Sequence, residues 1–478
     1  MKADLVFRGA RIVTPGGVVQ ADLAIKDEKI VALTSGEMAP AAHEVIDLKG
    51  KVILPGGVDT HTHLREPGFT HKEDITTGTR AAAAGGYTTV SGMPNVEPVT
   101  VTVQRYLDVI ERYKAHSLVD FNHNPAPTRL DEVQAMANAG ALGFKIFMIT
   151  DQGTDYPHMP ELGVHHQGQL FEIAEAVQKT GLPLMVHPNN QQLIETLSNR
   201  AIKAGDTSYQ TVARLSASYD GIVFDSAISY LCRLQEVLGF RLHVLHMRSP
   251  RSVEVVRAAK RAKRTVTVET NPHMLFLCND WNEIERLGPY ALNLWNGPDT
   301  TELLWECVRD GTIDVIGSDH APHLREEKEI GWTNMFVAAN GTPKIQEALP
   351  LFLDQVHAGR LTLERLAEIF STMPARIFGL YPRKGVIQVG SDADLAVVDP
   401  DKRQVIRNED MLSKCGWSSW DGREVVGATL HTLVRGTFVY RDGQVVGKPG
   451  HGRHAKPLRP EAAASMIPRA GPGAGAGA

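Results

Sequence analysis

The chain has 478 residues, enough for about three domains or for one large barrel with a smaller partner. With 42% hydrophobic and 22% charged residues it has the make-up of an ordinary folded protein, which excludes collagenous, disordered and coiled-coil architectures. Fifty Lys and Arg against 55 Asp and Glu leave a formal net charge of −5, which argues against a nucleic-acid or membrane-surface partner and leaves a small molecule.

The opening MKADLVFRGARIVT alternates apolar and polar residues instead of giving a charged segment followed by an apolar run. Nowhere do about 18 apolar residues occur in succession. Cys232, Cys278, Cys307 and Cys415 are scattered without a CxxC spacing, which suits core thiols in a reducing compartment and excludes a cysteine zinc knuckle. A cytoplasmic protein is expected.

Residues 1–56 read as short alternating strands separated by glycine turns, the first part of a β-sandwich. From 57 to 385 the pattern becomes apolar strand, polar loop and amphipathic helix in repetition, as in QLFEIAEAVQKTGLPLMVH and ISYLCRLQEVLGFRLHVLH. A strand after each helix means parallel strands joined by crossovers. The length suits a (β/α)8 TIM barrel, so the fold class expected is α/β. Short strands return in 386–450, where VIQVGSDADLAVVDP and HTLVRGTFVYRDGQVVG complete the sandwich from the other chain end. Residues 451–478 are rich in Pro, Gly and Ala with little to bury, and are expected to form a flexible tail without chemistry.

The chemistry starts where the first barrel strand should end. In Asp59-Thr60-His61-Thr62-His63 the two histidines lie two apart on a strand and project to the same side, so both can meet one metal ion. Lys145 in GFKIFM, His187 in LPLMVHP, His246 in HVLHMRS and Asp319 in SDHAPH fall at the ends of later strands, which converge on the face where barrel active sites lie. Four histidines and a carboxylate suit zinc or a similar divalent ion, and two ions sharing ligands polarise a carbonyl while activating a water. A protonated lysine beside such ions is unfavourable. Lys145 fits if its amine has reacted with carbon dioxide to give an anionic, two-oxygen carbamate.

DTHTHLREPG, MPN at 93–95, GFKIFM, the strand-end histidines and SDHAPH together resemble the amidohydrolase superfamily in its dihydroorotase, allantoinase and hydantoinase branch. The resemblance implies two divalent metal ions, zinc in the first instance. His61, His63 and Asp319 would hold the more buried ion and His187 and His246 the more exposed one. Carboxylated Lys145 would bridge both, with Asp319 also moving a proton from the bridging hydroxide to the leaving nitrogen. It further implies a small cyclic amide as substrate and a homo-oligomer, dimer or tetramer.

Arg65, Asn95 and His323 are similar to the residues with which dihydroorotases hold the substrate carboxylate, and Asn293 is a candidate for a ring contact, with Asn296 beside it. Dihydroorotase is therefore the expected activity, with dihydroorotate and N-carbamoyl-aspartate interconverted. Thr150 stands where hydantoinases resemble one another in a tyrosine. The departures are His187-Pro188-Asn189-Asn190 in place of His-Ala-Glu, LNLWNGPD in place of an NPPLR segment, and Asn271-Pro272-His273-Met274 in place of a histidine doublet. They keep an allantoinase-like, hydantoinase-like or other cyclic imide hydrolase open as alternatives. An inactive dihydroorotase-like scaffold is the alternative of another class. The long segment at 151–168, with Tyr156, His158, His165 and His166, reads either as a lid or as a solvated loop.

Overall fold

The computed structural model describes residues 2–151, 157–215, 217–291 and 294–458. At the start, β1 (Ala3–Thr14), β2 (Gly17–Lys26) and β3 (Lys29–Thr34) run antiparallel in succession, while β4 (Ala42–Asp47) and β5 (Val52–Pro55) lie parallel to β1 on its other edge. The alternation seen in the sequence puts Phe7, Ile12, Leu23, Ile25 and Ile53 into one buried cluster.

Two parallel sheets follow. β6 (Gly57–Thr62), β7 (Tyr87–Gly92) and β8 (Asp120–His123) form a three-stranded sheet; β9 (Phe144–Phe147), β10 (Pro183–His187), β11 (Arg241–Val244), β12 (Val266–Thr270) and β13 (Val315–Ile316) form a five-stranded one. Single backbone bonds close the ring: the Lys145 N–H donates to the Pro125 carbonyl at 3.0 Å, and the His63 N–H to the His320 carbonyl at 2.7 Å. The result is an eight-stranded barrel of two sheets that meet at these two seams, with a crossover helix after each strand.

Both faces of these strands are covered, so nearly every strand residue is buried. Phe144, Ile146, Leu184, Val186, Leu242 and Val244 face outward into the helices, whereas Val58, Met185 and Val315 point inward onto a plug of Met373, Phe378 and Leu380. Lys145 is in register with Met185, which assigns its side chain to the interior. The helices Gln167–Thr180 and Ser218–Leu238 each stop at a glycine in the left-handed region, Gly181 (φ 71°) and Gly239 (φ 72°), where a side chain would be strained.

The last strands, β14 (Leu395–Val405), β15 (Glu424–Val434), β16 (Thr437–Arg441) and β17 (Gln444–Val445), return to the first sheet. β14 pairs antiparallel with β5, from Leu395 against Pro55 to Val398 against Val52, so both chain ends share one nine-stranded sheet.

The chain just after 450 does not behave as the expected tail. The Phe121 N–H donates to the Arg453 carbonyl at 3.0 Å and the Ala455 N–H to the Phe121 carbonyl at 2.8 Å, while the His454 ring stacks on Phe121. The reason lies in the barrel: β8 ends its sheet and leaves an open edge whose backbone groups need partners, and residues 451–458 supply them despite a composition poor in apolar residues. Residues 459–478 lie outside the described residues. Among the described residues the four cysteines are free and buried, and no helix is long and apolar enough to cross a membrane.

Candidate active site

Every strand-end residue singled out above reaches the carboxyl-terminal mouth of the barrel. His61 Nε2 lies 3.3 Å and His63 Nε2 3.6 Å from Asp319 Oδ1. The other nitrogen of each ring is already engaged: His61 Nδ1 meets Glu269 Oε1 at 2.7 Å and His63 Nδ1 meets Asn95 Oδ1 at 2.7 Å. Two rings whose Nδ1 atoms are fixed by acceptors, with both Nε2 atoms aimed at one carboxylate oxygen, have the orientation that metal-ligating histidines take. His187 and His246 face each other across the neighbouring strand ends with ring centroids 4.5 Å apart, and His246 lies 5.9 Å from His61.

Burial holds His63 down at about 3, with Arg65 adding to the effect. It holds His187 and His246 well below the usual histidine range. The imidazoles are therefore neutral, which is the form that binds a metal. Lys145 is fully buried, and its Nζ has no hydrogen-bond partner. Burial lowers it to about 7, against the pull of Asp319 and Glu269. An amine with a neutral fraction near neutral pH and an orphaned nitrogen is suited to carbon dioxide capture and poorly suited to staying a bare ammonium. These residues fit a divalent-ion site on orientation, protonation and an unsatisfied buried group.

Asp319 takes a left-handed backbone conformation (φ 49°), as do His246 (φ 36°) and Arg65 (φ 61°), so three non-glycine residues around the site are held off their preferred geometry. Asp319 is held in place by Lys344, whose fully buried Nζ donates to its carbonyl at 2.7 Å and its Oδ2 at 3.0 Å, and by Asn271 Nδ2 at 3.3 Å from Oδ2. Oδ1 is left facing the histidines. Burial opposes the Asp319 charge, but Lys344 and His61 outweigh it and hold the carboxyl well below its usual range.

The sequence reading passed over Glu269, Lys344 and Arg248, and it named Asn271 and His158 without giving them a role in the cluster. Glu269 carried a signal, a carboxylate inside the apolar strand VTVET; Lys344 carried none, lying in the loop NGTPK. His158 comes from the 151–168 segment and packs 4.9 Å from the His187 ring, with Nδ1 on Asp151 Oδ1 at 2.8 Å. His165 and His166 are exposed, and Tyr156 lies outside the described residues.

Of the residues expected to hold a substrate carboxylate, Arg65 and Asn95 line the cavity over the cluster, and each also has protein partners. Both ends of Asn95 are occupied, Oδ1 by His63 and Nδ2 by the Pro157 carbonyl at 3.2 Å. Arg65 donates through Nε to the Pro322 carbonyl at 3.2 Å, and its NH2 meets His323 Nε2 at 3.2 Å. His323 is fully buried against the Arg65 guanidinium. Asn293 lies outside the described residues, and Asn296 donates to Met274 Sδ at 3.5 Å. Asn95→Ala frees the His63 ring, and the expected cost is about 10- to 100-fold in metal affinity. Metal titration of the purified variant checks this; unchanged affinity would show the bond to be incidental.

A cavity of about 320 Å3 opens over the histidines and Asp319. Its walls away from them are mostly apolar, with Phe147, Ile149, Ile194, Val212, Leu215 and Phe336 among them. A second carboxylate cluster, Asp120, Asp392 and Asp394, lies elsewhere, around Lys384 and Arg435, whose charges already fill it.

A parallel barrel carrying oriented histidines, an aspartate and a buried lysine without a hydrogen-bond partner at the carboxyl ends of its strands defines a protein of the metal-site barrel class. The amidohydrolase family model matches residues 52–439. An allantoinase of Rubrobacter xylanophilus is 35% identical over 461 residues, covering 95% of this chain and 98% of that protein. A dihydroorotase of Methanosarcina acetivorans is 32% identical over 461 residues, covering 94% of each. The solved structure of an L-hydantoinase (dihydropyrimidinase) from Arthrobacter aurescens superposes with a TM-score of 0.89 at 33% identity, over 95% of this chain and 100% of that one. The chain belongs to the amidohydrolase family.

Proposed function

We propose that this chain is a hydrolase of the C–N bond in cyclic amides, and that its ring substrate is of the hydantoin class with an apolar substituent. The apolar chamber opening directly onto the His61, His63 and Asp319 cluster carries the reading: a ring amide can lie against the cluster while a hydrocarbon arm fills the chamber. A pair of divalent ions, held by His61, His63, His187, His246, Asp319 and carboxylated Lys145, supplies an activated water and positive charge for the carbonyl oxygen when bound.

The chain's own residues do the rest. Lys344 and Asn271 hold Oδ2 of Asp319, so Oδ1 is the oxygen placed to accept a proton from water and return it to the ring nitrogen as the C–N bond breaks. The hydroxyl goes to the carbonyl carbon and the proton to the nitrogen, giving a ring-opened carboxylic acid that releases its own proton to solvent and leaves a carboxylate. Retention of all six candidate ligand positions supports an enzyme over an inactive scaffold.

Dihydroorotate is the second reading, favoured by the position of Arg65 on the cavity wall. The two separate on a substrate panel with zinc-loaded protein and bicarbonate: benzylhydantoin, hydantoin, dihydrouracil, dihydroorotate, allantoin and succinimide. Benzylhydantoin is expected to exceed dihydroorotate in kcat/KM by at least about tenfold; the reverse order overturns the hydantoin reading. Because the Arg65 guanidinium is committed to Pro322 and His323, Arg65→Met is expected to lower turnover of charged and neutral rings alike. A loss confined to dihydroorotate would return Arg65 to a substrate role.

A further inference from the structure

Arg248 follows His246 by two residues and lines the same cavity. It is 8% exposed, and among the described residues its guanidinium has neither an ion pair nor a hydrogen bond; Nε is buried without an acceptor. Its contact is the face of Phe224, with the guanidinium carbon 3.0 Å from the ring centroid. A face contact of that kind offsets only part of the cost of burying a cation, and arginine does not escape by losing its proton. His187, His246 and Asp319 line the same cavity, which places the charge in the chamber where the ring would react.

A buried, forked cation that no acid pairs with among the described residues, lining a chamber whose walls are mostly apolar, is a site for an anion. We infer that Arg248 is the carboxylate-recognising residue of the cavity, in the place that the sequence alone gives to Arg65. This rests on the ring-opening reading for the identity of its ligand. The carboxylate has two possible sources: the group released when the ring opens, or an acidic group at the end of the substrate's substituent. A guanidinium suits either by its two parallel donors.

Calorimetric binding to the zinc-loaded protein separates them without any turnover. The probes are N-carbamoyl-phenylalanine, its primary amide and N-carbamoyl-glutamate, tested on the wild type, Arg248→Met and Arg248→Lys. The wild type is expected to bind N-carbamoyl-phenylalanine at least about tenfold more tightly than the amide, with Arg248→Met bringing that ratio close to one and Arg248→Lys keeping part of it. That pattern assigns Arg248 to the released carboxylate. If the methionine variant instead erases only a preference for N-carbamoyl-glutamate over N-carbamoyl-phenylalanine, Arg248 reads the side-arm acid. Ratios identical in wild type and both variants overturn the inference. Should Arg248→Met not fold, the lysine variant alone decides: an unreduced ratio at its shorter, unforked cation counts against recognition by the guanidinium. A wild type that opens no hydantoin yet shows either pattern would sink the functional reading and leave the carboxylate site standing.

Discussion

Replacing Lys145 by alanine is expected to remove bound metal and activity together. The side chain is fully buried inside the barrel with no acceptor for its Nζ, so as a plain ammonium it would only destabilise the protein. A carbamate on the same atom would replace that liability with two oxygens sharing one negative charge, a ligand for ions that His61, His63, His187 and His246 would help to hold. Residues that merely orient a ligand cost about 10- to 100-fold when changed, so loss of a shared ligand should cost at least about 100-fold in activity. Zinc content by atomic spectroscopy should fall in parallel. In the wild type, reconstitution of the metal-free protein should be faster with bicarbonate than in carbon dioxide-depleted buffer. Full activity of a zinc-free Lys145→Ala protein, or reconstitution indifferent to bicarbonate, would rule out the bridging role.

The barrel and the chain-end sheet were legible because their signals are local: a strand after every helix, and alternation at both ends. The metal-type cluster was legible for a related reason. His61 and His63 share a face by strand periodicity alone, and the parallel barrel brings every later strand end to the same mouth. What supports the cluster was not. Glu269 and Lys344 meet His61 and Asp319 across more than 20 residues of intervening fold each, and nothing near them in the chain marks them as neighbours. Asn95 was singled out for a substrate contact, yet the fold sets its carbonyl against His63 and its amide against Pro157, a pairing that depends on where two loops cross. Arg248 was hidden by the opposite effect: a lysine or arginine four residues past a strand end is ordinarily solvated, and only the walls around it show that this one is not.

Lys384→Met is the change expected to cost most in stability while leaving the mouth of the barrel intact. The Lys384 ammonium is 2% exposed and lies among Asp120, Asp392 and Asp394, at 2.7 Å from Asp394 Oδ2 and 3.3 Å from Asp392 Oδ2. With Arg435, which also pairs with Asp120, it joins β8 of the barrel to the loop before β14 and to the chain-end sheet. Removing one partner from a buried charge network leaves charge uncompensated, so the expected loss is about 3 to 5 kcal/mol by chemical denaturation at pH 7. The sign of its pH dependence is fixed. Burial already raises the Asp394 carboxyl above its usual value against the pull of Lys384. Without that ammonium it rises further, and the native state then holds more protons than the unfolded one. Stability of the variant therefore falls as pH increases past the unfolded-state carboxylate value, and the deficit against wild type is larger at pH 7 than at pH 5. A deficit that grows on acidification, or none at pH 7, would mean that Arg435 alone neutralises the cluster and that Lys384 is not what ties the two sheets together.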